Sequence, residues 1–113
     1  MTASVALDRA APLFDALGDP TRLRIFTRLC DGGPSSTSQV MQVIPVSRQA
    51  VSKHLSMLEG VGLVHSRKHG RERIWRVRTQ PLVQASDYLN QLSNRWDQAI
   101  ERLRAFVEDP SAI

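Results

Sequence analysis

The chain has 113 residues, with 15 Lys and Arg against 11 Asp and Glu, a formal net charge of +4 and one cysteine. That length suits one small domain, residues 1–113, with a core but no roomy catalytic cleft beside it. A lone Cys30 excludes an internal disulfide, no stretch is long enough to span a bilayer, and Asp8, Arg9 and Pro12 break up any apolar leader, so a cytoplasmic protein is expected.

Ala10, Leu13, Phe14 and Leu17 have helical spacing and predict a first helix over 8–18, beginning near Asp8 to Ala11, with Pro12 tolerable only in its opening turn. Asp19-Pro20 then starts a second helix, 19–31, since Asp can accept the free N–H groups and Pro at the first helical position loses no bond. Leu23, Phe26, Leu29 and Cys30 are its expected core face, which makes Cys30 a small buried hydrophobe. Arg22, Arg24 and Arg28 read as a solvated face, although Arg22 could reach a phosphate. Asp31-Gly32-Gly33-Pro34 makes a loop.

Ser35 to Ser38 offer N-caps for a third helix with Val40, Met41, Val43 and Ile44 as its apolar residues, and Pro45 ends it. Ser47 caps the next helix, in which Val51, Leu55 and Leu58 form one apolar stripe, and Gly60 or Gly62 closes it. Together 36–60 make a helix-turn-helix. The polar face of its second helix carries Arg48, Gln49, Ser52, Lys53, His54 and Ser56, with no acid before Glu59. Gln can address adenine, Arg guanine, and Ser a base or a phosphate, so this face suits the major groove of DNA. A merely solvated amphipathic helix has the same pattern.

Strands over Leu63 to Lys68 and Arg73 to Arg78 are expected around His69 to Glu72, within a 63–78 hairpin whose turn uses Gly70. Trp75 and Val77 should face the core, and Ile74 and Arg76 the other side. Arg67, Lys68, His69, Arg71 and Arg73 load the tip, as a wing over the phosphate backbone would be loaded; solubility alone is the plainer explanation. Arg48 to Arg73 holds six basic residues against two acids, while the flanking segments each cancel, so the whole net charge sits in the candidate reading segment. Such a local field attracts a polyanion.

From 80 to 108, Leu82, Ala85, Leu89, Leu92, Trp96, Ile100, Leu103 and Val107 continue a seam too long for so small a domain to cover. A long helix, unbroken or split near Asn94, is expected to pack partly on the first helix and partly on a second copy, with Trp96 as anchor. Leu13, Leu82, Leu89, Leu92, Trp96, Ile100 and Leu103 are the expected dimer contacts, so the fold class is mainly α with a small β-hairpin, dimerising through the N- and C-terminal helices.

Phe14 to Ile25 (F-D-A-L-G-D-P-T-R-L-R-I), Ser47 to Val64 and Gly70 to Val77, in that order, resemble the ArsR-type winged-helix transcriptional repressors. The resemblance covers roughly Ala10 to Leu92 and implies a homodimer on a double-stranded operator, with Ser47, Arg48, Gln49, Ser52, Lys53 and His54 in the major groove and Lys68 to Arg73 as wing. Many such proteins sense metals through a Cys-x-Cys pair in the third helix and Asp and His ligands in the last. This chain has Ser36, Thr37, Ser38 and Gln39 in the first place and no His in the second.

No metal site and no cofactor are therefore expected, and the C-terminal sequence W-D-Q-A-I-E-R-L-R-A-F-V-E-D resembles a branch without metal ligands. The alternative is a metal- or thiol-responsive sensor using an unrecognised site. An effector, if any, could be a small molecule in the dimer seam or another protein. No catalytic residue is expected, because His54, His65 and His69 lack a triad pattern and there is no phosphate loop. The scattered aromatics give no stacking platform for single strands.

Overall fold

The computed structural model describes residues 3–108. Its order is α1 (Ala3–Leu17), α2 (Pro20–Gly32), β1 (Ser35–Ser36), α3 (Thr37–Val43), α4 (Arg48–Gly60), β2 (Val64–His69), β3 (Glu72–Val77) and α5 (Thr79–Glu108). The three strands form one antiparallel sheet in the order β1-β3-β2.

The first helix is longer than its sequence suggests: it starts at Ala3, and Pro12 stands in its interior rather than in its opening turn. Pro12 removes the donor that Asp8 C=O would use, but Asp8 and Pro12 are both exposed, so water can serve that carbonyl. Asp19 caps α2 by accepting from Arg22 N at 2.9 Å, with Pro20 at the first helical position.

The buried side of α2 is Ile25, Phe26 and Leu29. Leu23 is instead 45% exposed and Cys30 is exposed, contrary to the expected core face. At about 100° per residue, Leu23 and Cys30 both fall roughly a quarter-turn or more from the centre of that stripe. Ile25, which the spacing rule passed over, lies about 40° from Leu29 on that stripe and is fully buried.

Ser35 and Ser36 were expected only as caps, yet they also form the short edge strand β1, pairing with Trp75 and Ile74. Two polar residues have no alternation by which to announce a strand. Ser36 then opens α3 in a reciprocal cap, its Oγ accepting from Gln39 N at 3.1 Å while Gln39 Oε1 accepts from Ser36 N at 2.9 Å. Thr37 Oγ1 accepts a buried hydrogen bond from Trp75 Nε1 at 3.0 Å, which ties β3 to the start of α3. Val40 and Ile44 are buried beneath; Val43 is exposed.

The core gathers Ile25, Leu29, Val40, Val51, Leu55, Leu58, Leu63, Val64 and Trp75 between α2, α3, α4 and the sheet. Full burial of each aliphatic chain contributes about 1.5–3 kcal/mol, so the stripe of α4 is a principal support of the fold. At the far end, Ala85 is buried, Leu82 packs on the core, and Tyr88 meets Phe14 of α1 with ring centroids 6.1 Å apart.

Beyond Tyr88, α5 runs past the core. It is continuous through Asn94, and 30 residues of helix reach about 45 Å. The molecule extends 70 Å in its longest direction, with a radius of gyration of 19.3 Å, against about 13 Å for a compact chain of this size.

Candidate nucleic-acid interface

The interface is built on α4 and the hairpin. Ser47 accepts from Ala50 N at 3.2 Å and caps α4, whose first turn holds no acid, so the free N–H groups and the positive end of the helix dipole stand open to an anion. Val51, Leu55 and Leu58 are fully buried, which fixes how the helix is rolled. With that stripe inward, Gln49, Lys53 and Ser56 are exposed on the opposite side and Ser52 is half-buried on its flank. Ser56 belongs with this face as much as the residues read from the sequence as DNA-facing.

Two of those residues have other engagements. Arg48 Nη1 donates to Ser38 Oγ at 3.3 Å and lies 3.9 Å from Met41 Sδ, so its side chain returns to α3 and braces the two helices together. The side chain of His54 is 20% exposed, and its buried Nδ1 faces Asp19 Oδ2 at 4.0 Å, too far for a hydrogen bond. His54 therefore stands at the packing of α4 on α2 rather than on the outward face. The backbone N–H of Arg22 holds the Asp19 carboxyl below its ordinary range, assisted by the charge of Arg22.

Arg22 itself donates from Nε to Ala16 O at 2.7 Å and from Nη1 to Met57 Sδ at 3.2 Å. These contacts join the end of α1 to α2 and α4. A phosphate would have to compete with them.

The hairpin turns at Gly70, whose φ of 66° is open to glycine at little cost. Arg67, Lys68, His69, Arg71 and Arg73 are all exposed there. Cross-strand partners share a face, so Ser66 with Trp75 and Lys68 with Arg73 point to the core side, and Arg67 with Ile74 and His69 with Glu72 to the other. Ile74 is half-buried and Arg76 exposed.

A short polar relay sets the wing against α4. Glu59 Oε2 accepts from both Ser66 N and Ser66 Oγ at 2.8 Å, and Ser66 Oγ in turn accepts from Arg73 Nη1 at 2.8 Å. Glu59 stands in the sequence as the first acid after a basic helix, and nothing there pairs it with Ser66. Arg73 belongs to this brace as well as to the basic surface.

On the long helix, Leu89 (50% exposed), Leu92, Trp96 (67%), Ile100 and Leu103 form an exposed apolar stripe. Leu13, expected beside them as a dimer contact, is only 4% exposed and is committed to the core of its own protomer; Leu82 is packed there too. Helix spacing marked Leu13 as apolar but could not say which surface it meets. Among the described residues no group of three or more His, Cys, Asp or Glu is placed to hold a metal ion, and no helix is long and apolar enough to cross a membrane.

A helix-turn-helix domain model matches residues 17–67. The HTH-type transcriptional regulator Rv2034 of Mycobacterium tuberculosis is 40% identical over 70 residues, 62% of each protein. An uncharacterized HTH-type transcriptional regulator of Methanocaldococcus jannaschii is 35% identical over 63 residues, 56% of this chain and 71% of its own length. The structure of an ArsR-like transcriptional regulator from Rhodococcus sp. RHA1 superimposes with a TM-score of 0.73 at 35% identity, covering 88% of this chain and 92% of that one. On these matches the chain belongs to the ArsR-like family of winged helix-turn-helix, DNA-binding transcriptional regulators.

Proposed function

We propose that the protein is a homodimeric repressor, each copy one winged-helix domain over residues 1–113, that reads a two-fold operator in double-stranded DNA without a metal sensor. The observation that carries the reading is the roll of α4: burial of Val51, Leu55 and Leu58 leaves Gln49, Lys53 and Ser56 facing outward beside an exposed basic hairpin. Gln49 is assigned to a base edge, Ser47, Ser52 and Lys53 to the groove and its phosphates, and Arg67, Lys68, His69 and Arg71 to the backbone. Arg48 and Arg73 position the helix and the wing while adding charge, and His54 supports α4 from behind.

The dimer reading is supported by the stripe from Leu89 to Leu103, an apolar surface that a monomer would leave in water. The reading without metal is supported by the work the third-helix positions already do. Ser36 and Gln39 form the cap, and Thr37 holds Trp75.

Binding to an operator duplex measured across a salt series tests the reading. If about six phosphates are neutralised per dimer, log K falls against log salt with a slope of roughly −5. A flat dependence rejects DNA as the partner.

A further inference from the structure

We propose that Glu59 is a positioning residue for operator recognition: it sets the tilt of the wing on α4, and through that tilt how far an operator is preferred to random duplex. The hairpin is held at its root, where Val64 and Trp75 are buried and β3 pairs with β1. From Arg67 to Arg73 every residue is exposed, so the tip projects from the body. The last tie before the tip is Ser66, whose N–H and Oγ both donate to Glu59 Oε2 at 2.8 Å. Among the described residues no other hydrogen bond joins α4 to the hairpin.

The strand order β1-β3-β2 leaves β2 on the outside of the sheet, with β3 on one side only. An outer strand presents unpaired N–H groups, and Glu59 takes one of them. The same oxygen accepts the Ser66 hydroxyl, whose Oγ accepts from Arg73 Nη1 at 2.8 Å, so one carboxylate ties both strands to α4. Gly70 is about 13 Å of strand beyond Ser66, so a tilt of about 10° at the tie moves the tip by roughly 2 Å. A hydrogen bond keeps its strength over only about 0.5 Å. Such a tilt would take Lys68 and Arg71 off phosphates that α4 has brought within reach.

An operator complex needs α4 in the groove and the wing on the backbone at one fixed separation, whereas random duplex is held by charge and accepts the wing at many tilts. Glu59 is also an acid in the basic segment, and through charge alone it would lower affinity uniformly on every duplex. Position and charge therefore leave different signatures. The inference rests on the operator-reading role proposed above.

Two variants that remove the same charge separate those signatures. Glu59→Gln keeps a side-chain carbonyl able to accept both Ser66 donors, Glu59→Ala keeps none, and at an exposed position both should fold normally. Affinities of the parent and the two variants are measured at one salt concentration, on a duplex selected by the parent from a random pool and on a shuffled duplex of the same composition. The ratio of selected to shuffled affinity should stay within about twofold of the parent for Glu59→Gln and fall by about fivefold or more for Glu59→Ala. In the DNA-free protein the Ser66 N–H should exchange faster in Glu59→Ala alone. Equal ratios for the two variants, or unchanged Ser66 exchange in Glu59→Ala, overturn the proposal. If the parent itself does not discriminate, the operator reading falls and this inference with it; if the parent discriminates and Glu59→Ala does so equally, this inference alone falls.

Discussion

Helix α4 and the distal half of α5 carry the same kind of apolar stripe and meet opposite fates. In α4, Val51, Leu55 and Leu58 are fully buried by α2, α3 and the sheet, whereas in α5 Trp96 is 67% and Leu103 63% exposed. Periodicity alone does not distinguish them. What does is the presence of a facing surface: α4 lies across the core, while α5 runs out of core after Tyr88. The first stripe therefore orients a polar face of the domain, and the second stays exposed, the surface to which the proposed dimer is assigned.

The contrast can be broken at either end. Leu55→Ala should lower the stability of the folded protein by about 2–5 kcal/mol, read from the midpoint of denaturant unfolding, because a cavity opens where no solvent reaches. Trp96→Ala should leave protomer stability within about 0.5 kcal/mol but weaken self-association by about 2 kcal/mol or more, read by sedimentation. If Trp96→Ala unfolds the protomer and leaves association intact, the two stripes have been assigned the wrong way round.

A smaller effect concerns how α4 is backed by α2. Asp19 has its carboxyl held below 3.8, the ordinary value, in the folded state, so its contribution is present above that pH and is lost as pH falls through the folded value. Asp19→Asn keeps a capping oxygen but cannot titrate, so its thermal midpoint should fall less steeply between pH 4 and pH 2 than that of the parent. Identical acid profiles would remove Asp19 from the account.

Much of this was legible in the sequence because local chemistry and global packing agree at the caps and stripes. Asp19-Pro20, Ser47 and the Val51, Leu55, Leu58 spacing each announce both a boundary and a face, and the basic hairpin follows from Gly70 between two alternating runs. What was not legible depends on neighbours distant in the chain. The strand at Ser35–Ser36 exists only because β3 lies beside it, and the Glu59, Ser66 and Arg73 relay exists only once the wing folds back on α4. Leu13, Leu23 and Cys30 were placed by hydrophobicity, and their actual surroundings are set by how α1 and α2 roll. His54 shares the basic segment with Lys53, yet one step around the helix turns it from the solvent to Asp19.

The most direct test of the central claim compares Gln49→Ala with Arg71→Ala on the operator and on random duplex at one salt concentration. Gln49→Ala should cost about 1–3 kcal/mol on the operator and little on random DNA, while Arg71→Ala should weaken both alike. Equal losses everywhere for Gln49→Ala would mean that the outward face of α4 does not read sequence.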